Sequence, residues 1–398
     1  MTAFCPGCGG GDLLDLLTLP AVPVNSCLLL QSREEARRFP RGDISLCLCN
    51  VCMLIFNAAF DATLTRYAAG YEEVQGFSET YSRFEASLVD VLVERYSLRG
   101  KSVIEIGCGK GDFLLRLCGA GQNRGVGFDP AFDPARVPST EARVSFVRDF
   151  YSRRYSQYRA DFYCCKMTLE HIADPADFVA MLRDAIRGDA EPLVFVMVPD
   201  AARIMAQAAF EDVYYEHCSY FTEQSLKNLF RLNGFRIVDT RLVFGGQYLI
   251  LTAKWGGQAV ACPSLEHLPG ALRNGVATFG QKVDLCRRAW GRRFDKLAES
   301  GARTVLWGGG SKAVAFLTGV PESVSIEYVV DVNPYRQGSF LPVTGQVIVA
   351  PDFLRGYRPD VVIVMNPLYE GEIRDELQRC GLSPEVLLPG SGLADYKG

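Results

Sequence analysis

The stretch from Val103 to Leu114 reads Val-Ile-Glu-Ile-Gly-Cys-Gly-Lys-Gly-Asp-Phe-Leu and decides the fold. Residues 103–106 form a short, mostly apolar run that is typical of a buried strand. The glycines at 107, 109 and 111 permit positive φ and let the backbone approach a ligand closely. A helical pattern opens at 111–117. A strand, a glycine turn and a helix in this order indicate a Rossmann-like α/β unit.

Apolar runs and helical patterns alternate around this unit, and they predict a mostly parallel sheet with helices on both faces. Further strands are expected at Arg124–Phe128, Val144–Val147, Phe162–Lys166 and Leu193–Val198, and helices at Phe77–Tyr96 and Asp177–Ile186. The first of these helices is expected to bury one face, formed by Phe84, Leu88, Val91 and Leu92.

The chain repeats this theme after a less regular stretch at 256–270, which we interpret as a linker. Strands are predicted at Thr304–Trp307, Ile326–Val330 and Val361–Val364, and helices at Ser311–Leu317 and Glu370–Cys380. We therefore expect three parts: a small cysteine-rich module at 1–60, a central α/β domain at 61–255 and a second Rossmann-like α/β domain at 270–398.

Composition and charge exclude several classes of protein. The 398 residues are 48% hydrophobic and 22% charged, with a formal net charge of −4, which is ordinary for a globular protein. A nucleic-acid-binding surface needs a basic excess, so no nucleic-acid partner is expected. Charged, amide and proline residues interrupt the apolar stretch at 13–30, so no membrane-spanning helix is expected. The first four residues carry no positive charge, and we expect a cytoplasmic protein.

Four of the fourteen cysteines form two Cys-x-x-Cys pairs, Cys5 with Cys8 and Cys49 with Cys52. Each pair can supply two thiolates, and two pairs complete the tetrahedral shell of a zinc ion. Such a closed site would be structural, because no position stays open for a substrate. The alternative is a set of buried free thiols.

Two details of the glycine segment favour S-adenosylmethionine over a dinucleotide. The loop reads Glu105-x-Gly-x-Gly-x-Gly111, which lacks the spacing of the dinucleotide fingerprint. An acidic residue, Asp129, ends the next predicted strand, where a carboxylate can accept both ribose hydroxyls. The alternative is a Rossmann-like domain with another use.

An acid, a base and several tyrosines lie together at 212–222, which reads Asp-Val-Tyr-Tyr-Glu-His-Cys-Ser-Tyr-Phe-Thr. The chain has three histidines, so few groups can serve as a base near neutral pH. His171 follows a predicted strand, and His267 falls in the predicted linker. His217 is the better candidate base, with Glu216 beside it. The alternative is a core histidine with a satisfied hydrogen bond.

Residues 105–129 resemble the motifs of class I S-adenosylmethionine methyltransferases. The resemblance implies that the loop at Gly107 and Gly109 lies against the methionine part of the cofactor, and that Asp129 binds its ribose. It also implies that Asp149 and Phe150, which follow the predicted strand at 144–147, flank the adenine.

The whole chain resembles the three-domain sugar C-methyltransferases, which act on nucleotide-linked 4-keto-deoxysugars. The resemblance extends over the paired cysteines, the Tyr-x-Glu-His-x-Ser-Tyr-Phe stretch and the C-terminal Gly-Ser-Lys and Asp-x-Asn-Pro segments. It implies that His217 is the base and that Tyr214 and Glu216 support it. Members usually carry a Tyr- and Ser-rich segment before the first methyltransferase helix, and residues 67–78 match that segment only loosely.

Candidate substrate-binding residues come from four segments and are Tyr71, Ser78, Tyr220, Ser311, Lys312, Asp331 and Asn333. The glycine turn at 308–310 can expose backbone N–H groups to an anion where a helix begins. Asp331 and Asn333 end the next strand, where doubly wound sheets usually bind ligands. The alternatives are a turn that only packs helix against strand, and tyrosines that only pack.

These residue types suit a reaction in which a base removes a proton α to a ketone and the enolate carbon takes a methyl group. Together with the cysteine pairs they predict an enzyme with S-adenosylmethionine as cofactor, a structural zinc ion and a small-molecule substrate, and the resemblance implies that this substrate is a nucleotide-linked keto-deoxysugar methylated on carbon. The alternatives are an O- or N-methyltransferase acting on another small metabolite, and a zinc-anchored binding module without catalysis.

Overall fold

A computed structural model describes residues 4–67, 70–137, 143–186, 191–257, 270–320 and 325–390. Its strands are β1 (Leu13–Pro23), β2 (Arg41–Cys49), β3 (Ile55–Asn57), β4 (Ser102–Ile106), β5 (Arg124–Phe128), β6 (Val144–Val147), β7 (Phe162–Lys166), β8 (Leu193–Pro199), β9 (Ser219–Tyr220), β10 (Phe235–Val243), β11 (Tyr248–Trp255), β12 (Thr304–Trp307), β13 (Tyr328–Val330), β14 (Val347–Val349), β15 (Val361–Val364) and β16 (Glu385–Leu387). Its α-helices are α1 (Arg33–Arg37), α2 (Glu79–Arg95), α3 (Asp112–Gly121), α4 (Pro175–Ile186), α5 (Ala201–Gln207), α6 (Glu223–Leu232), α7 (Gly270–Glu299), α8 (Ser311–Gly319), α9 (Leu354–Tyr357) and α10 (Glu370–Arg379).

The central sheet has seven strands in the order β10-β11-β8-β7-β4-β5-β6. The strands from β8 to β6 run parallel, and β11 is antiparallel to both of its neighbours. This is the predicted Rossmann-like arrangement, and the fold class is confirmed. Strand β8 is buried from its first residue to Val198, because both faces of the sheet are covered.

Helix α2 differs from its prediction in where it begins and in which face it buries. It begins at Glu79 because the Ser78 side chain caps it, accepting a hydrogen bond from Tyr81 N. Val91 is 37% exposed, so its predicted burial is wrong. The buried face includes Glu85, whose carboxylate lies 3.3 Å from Lys166 Nζ. The pattern of apolar residues predicted the wrong buried face for α2, because it assumes that charged side chains are exposed. Here the ion pair with Lys166 allows Glu85 to be buried.

The N-terminal sheet has the order β1-β2-β3-β9, and all of its pairs are antiparallel. Strand β9 comes from the tyrosine-rich stretch, far outside residues 1–60. Leu46 of this sheet, Phe279 and Trp290 of α7 and Leu306 of β12 belong to one buried apolar cluster. The N-terminal sheet therefore shares its core with the C-terminal part of the chain.

The C-terminal sheet has five parallel strands in the order β14-β13-β12-β15-β16. Strands β12 and β15 have their predicted bounds, whereas β13 begins two residues later than predicted. The sheet forms the second Rossmann-like unit. Residues 258–269, which make up most of the predicted linker at 256–270 and include His267, lie outside the described residues. Among the residues that the structure describes, no helix is both long and apolar enough to cross a membrane.

Candidate active site

A cavity of about 1150 Å³ lies between the central and C-terminal sheets. Its wall contains residues that follow β4, β5 and β7 of the central sheet and β12, β13 and β15 of the C-terminal sheet. Residues from 60–78 and 199–217 complete the wall. Ligands usually bind at the carboxyl ends of parallel strands, and here two such edges border one space.

The loop after β4 carries glycine at two positions where a side chain would be strained or crowded. Gly107 has φ 71° and Gly109 has φ 54°, in the left-handed region. A Cβ atom at Gly107 would come within 2.8 Å of Thr168 Cβ and would overlap the Thr168 hydroxyl. A Cβ atom at Gly109 would overlap the carboxylate of Glu73. Glycine at these two positions therefore keeps an open backbone cradle beside Thr168 and Glu73.

Asp129 follows β5 directly, beside this loop, and lines the cavity. Its Oδ2 accepts a hydrogen bond from Gly109 N at 2.9 Å, and its Oδ1 accepts one from Ala131 N at 2.7 Å. Burial raises the pKa of this carboxyl group. Each oxygen keeps a second lone pair, so the group can still accept hydrogen bonds from a ligand.

Glu105 lies beneath the loop and is 1% exposed. Its Oε2 has no hydrogen-bond partner among the described residues, and burial raises its pKa to about 8. A buried acceptor without a partner is costly unless a ligand supplies a donor. Together with the glycine cradle and Asp129, it suits the amino and hydroxyl donors of S-adenosylmethionine.

The two residues predicted beside the adenine have different surroundings. Phe150 lines the cavity and is 61% exposed, so its ring is available to a planar group. The Asp149 carboxylate accepts a hydrogen bond from Tyr155 Oη at 2.5 Å and forms an ion pair with Arg154. Asp149 is not part of the cavity wall.

His217 and Tyr214 lie on the cavity wall with ring centroids 4.1 Å apart. His217 is 3% exposed, and its Nδ1 has no partner among the described residues. Burial and the neighbouring His171 lower the pKa of His217 well below its usual range, so the ring is neutral. Tyr67 Oη contacts His171 Nδ1 at 3.0 Å, which orients the second ring.

Glu216 and Tyr220 do not line the cavity. The Glu216 carboxylate accepts hydrogen bonds from Asn25 Nδ2 at 3.2 Å and Ser26 N at 2.8 Å. Tyr220 Oη donates to the Tyr214 carbonyl oxygen at 3.2 Å. Both side chains thus hold the polypeptide on either side of His217 in place.

Tyr71 and Ser78 line the cavity, and both also have structural partners. The Tyr71 carbonyl oxygen accepts a hydrogen bond from Lys110 Nζ at 2.8 Å. Ser78 Oγ donates to Glu372 Oε2 at 2.7 Å, so the residue that caps α2 also contacts α10. The Glu372 carboxylate accepts from the next two backbone N–H groups as well, which joins the two Rossmann-like units.

The C-terminal candidates also lie on the wall, and one of them repeats the geometry of Asp129. Asp331 Oδ2 accepts from Gly309 N at 2.7 Å, and its Oδ1 accepts from Asn333 N at 2.8 Å. Ser311 begins α8, and Lys312 is ion-paired with Asp212. The backbone groups of the second glycine turn and these polar side chains face the same cavity as the first turn.

Two family models match the chain, one described as a methyltransferase domain over residues 78–240 and one as a C-methyltransferase C-terminal domain over residues 272–382. C-methyltransferase NovU from Streptomyces niveus is 25% identical over 388 residues, which cover 93% of this chain and 91% of NovU. The chain is an S-adenosylmethionine-dependent methyltransferase. The matches support a C-methyltransferase family.

Part of this methyltransferase is also similar to solved structures. A Burkholderia thailandensis 1,6-didemethyltoxoflavin-N1-methyltransferase is 20% identical, with 45% of this chain and 81% of that chain covered and a TM-score of 0.35. The magnesium protoporphyrin IX methyltransferase of Synechocystis PCC 6803 is 17% identical, with 44% and 84% covered and a TM-score of 0.35.

Several residues on the wall of the methyltransferase cavity were missed by sequence reasoning, and they are Glu73, Glu170, Arg203 and Arg336. Arg336 Nη2 donates to the Glu72 carbonyl oxygen at 2.7 Å, and Nη1 lies 3.4 Å from Asp331 Oδ2. Arg203 Nη2 lies 2.6 Å from Asp212 Oδ2. None of these positions has a local motif, although Glu170 directly precedes His171 in the chain.

The two Cys-x-x-Cys pairs of the methyltransferase lie next to each other in the fold, as a shared zinc site would require. Cys5 Sγ lies 3.4 Å from Cys52 Sγ, and Cys8 Sγ lies 3.6 Å from Cys49 Sγ. All four sulfur atoms lie within 4.8 Å of one another. Zinc–sulfur bonds of about 2.3 Å place tetrahedral ligands about 3.8 Å apart, so the four thiols have the geometry and chemistry of a zinc site.

Proposed function

We propose that this enzyme methylates a carbon atom next to the ketone of a nucleotide-linked deoxysugar. One observation carries the proposal: a single cavity extends from the glycine loop at Gly107, past His217, to the beginning of α8 at Ser311. A volume of about 1150 Å³ exceeds the range of about 300–1,000 Å³ that is usual for one ligand. The cavity therefore has room for a cofactor and a substrate of similar size.

Proton transfer is assigned to His217. The neutral imidazole removes a proton from the carbon α to the ketone and becomes imidazolium, and the electron pair moves into the enolate. Tyr214 lies against the ring and can donate its hydroxyl hydrogen to the enolate oxygen. Burial raises the pKa of Tyr214 well above its usual range, so this hydroxyl keeps its proton.

The glycine cradle, Glu105 and Asp129 are assigned to S-adenosylmethionine. When bound, that cofactor supplies an electrophilic methyl group. The buried Oε2 of Glu105 and the carboxylate of Asp129 accept hydrogen bonds from the amino and hydroxyl groups of the cofactor. The ring of Phe150 packs against the adenine. Positioning by these groups reduces the entropy cost of bringing two small molecules together.

The C-terminal wall is assigned to the anionic part of the substrate. Lys312 and Arg203 share one carboxylate, that of Asp212, so the three side chains carry one net positive charge. They lie on the wall near the N-terminus of α8, where backbone N–H groups favour an anion. A diphosphate linked to a nucleoside fits this combination of charge and donors.

The four cysteine thiolates are assigned to one structural zinc ion. The sheet that contains them also pairs with β9, which follows the His217 segment directly. The ion would thus stabilise the N-terminal part of the fold.

The test uses a labelled methyl donor and a panel of nucleotide-linked 4-keto-deoxysugars, with product analysis by mass spectrometry and NMR. We expect a new carbon–carbon bond next to the ketone, and a loss of about 10²–10⁴-fold in kcat for His217→Asn. A methyl group found on oxygen or nitrogen, or full activity of His217→Asn, would contradict the proposal.

A further inference from the structure

Glu170, His171 and His217 form a cluster on the cavity wall that the proposed proton transfer uses only in part. One nitrogen or oxygen atom of each residue lies within 4.8 Å of the others. The first two residues belong to a short 3₁₀ segment that follows β7, and the third precedes β9. Two elements of the fold therefore bring the three side chains to one place.

The Glu170 side chain lacks the partners that a buried carboxylate needs. It is 1% exposed, and neither Oε1 nor Oε2 has a hydrogen-bond partner among the described residues. His217 Nδ1 is also buried without a partner there. Burying such groups without a partner is unfavourable unless a cation or a hydrogen-bond donor compensates them. These atoms point to a missing ligand with positive charge.

The chemistry of the three side chains specifies the kind of cation. Two imidazoles and one carboxylate are the ligand set of Zn²⁺, Fe²⁺ and Co²⁺ sites that keep open positions. Ligand bonds of about 2.0–2.2 Å require ligand atoms about 3.0–3.5 Å apart, which small side-chain rotations can produce from the observed cluster. The open positions would face the cavity.

The surroundings of His171 also suit a ligating histidine. Its ring contacts Tyr67 Oη through Nδ1 and the backbone of Glu216. A metal-bound imidazole is usually held in orientation by a hydrogen bond to its other nitrogen. Ligation through Nδ1 would displace Tyr67 and retain the contact with the Glu216 backbone.

We propose that Glu170, His171 and His217 bind one divalent transition-metal ion in the wall of the cavity, and that this ion withdraws His217 from proton transfer. The site is separate from the four-cysteine cluster in ligands and in place. Binding of the ion is independent of the proposed function, whereas the loss of proton transfer rests on the proposed role of His217.

The binding test uses the full chain loaded with one equivalent of zinc, which the four soft thiolates take in preference to the nitrogen and oxygen ligands of the second cluster. Co²⁺ is then titrated and followed by calorimetry and visible absorption. We expect one further ion per chain, with the bands of nitrogen and oxygen ligation and without a thiolate-to-cobalt charge-transfer band. Loss of even an outer-shell partner weakens metal sites by about 10–100-fold, so Glu170→Gln should weaken this one by at least tenfold.

Glu376→Gln is the matched control, because Glu376 lines the same cavity but pairs with Arg379 of α10. It should bind Co²⁺ like the wild type. Zinc content and circular dichroism report whether each variant folds. Absence of a second ion in the folded wild type, or equal affinity in Glu170→Gln, would overturn the proposed site.

The activity test measures methyl transfer against Co²⁺ concentration. We expect an inhibition constant that matches the dissociation constant from calorimetry, with weaker inhibition of Glu170→Gln. Binding without inhibition would overturn the link to His217. Because binding is measured without a sugar substrate, failure of the metal site and failure of the proposed function give different results.

Discussion

Replacing Gly107 by alanine tests whether the loop after β4 forms the cofactor site. An alanine at φ 71° costs about 1–2 kcal/mol from its backbone alone. Its Cβ would also come within 2.8 Å of Thr168 Cβ, and relieving that overlap adds a further cost of about 1–3 kcal/mol. If about 2 kcal/mol of this total destabilises the loop conformation that binds the cofactor, the affinity for S-adenosylmethionine decreases about 30-fold.

Calorimetric titration with the cofactor and its demethylated product measures the affinity, and chemical denaturation measures the free energy of unfolding. Gly119→Ala is the matched control, because nothing lies within 4 Å of its Cβ position in α3. Alanine there should stabilise the helix by up to about 1 kcal/mol and leave affinity unchanged. The double variant Gly107→Ala/Thr168→Ala should recover part of the loss. Wild-type affinity in Gly107→Ala would refute the assignment of this loop.

Three further predictions concern other parts of the chain. Burial raises the pKa of Glu105 from 4.5 to about 8, so between these pH values the folded state without cofactor binds more protons than the unfolded state. Its stability should therefore decrease as pH rises, by roughly 3–5 kcal/mol from this group, and Glu105→Gln should lack this component in denaturation curves at pH 5 and pH 8. Lys312→Ala should raise the KM for the proposed nucleotide-linked substrate by about tenfold with kcat nearly constant, whereas Lys101→Ala, at an exposed position, should change neither. Cys52→Ser should lower bound zinc in elemental analysis from one ion per chain to a small fraction and lower the melting temperature, and a stoichiometry unaffected by the substitution would contradict the four-cysteine site.

The sequence predicted those parts of the fold in which local pattern and tertiary structure agree. Strands β5, β6 and β7 have their predicted bounds, because their apolar runs are bounded by turn residues. The face of α2 was predicted incorrectly where a charged side chain is buried. Glu85 is paired with Lys166, which comes from strand β7, and no local pattern shows such an ion pair.

The candidate site likewise contains residues that the local sequence predicts and residues that only the fold brings together. His217 and Tyr214 could be proposed from one short stretch, because they are close in the chain and chemically distinctive. Glu216 is also in that stretch, yet its carboxylate turns away from the cavity to accept hydrogen bonds from Asn25 and Ser26. Arg336 approaches the site only through the packing of two sheets, so no spacing rule could have found it.

The pairing of β3 with β9 has a consequence for engineering this enzyme. Ile55 pairs with Tyr220 and Phe56 pairs with Ser219, immediately after the segment that carries His217. A shortened version that starts at residue 61 would leave β9 as an unpaired edge, with open N–H and C=O groups that invite aggregation. Attempts to exchange substrate specificity between relatives by grafting domains should therefore transfer the first sixty residues together with residues 212–222.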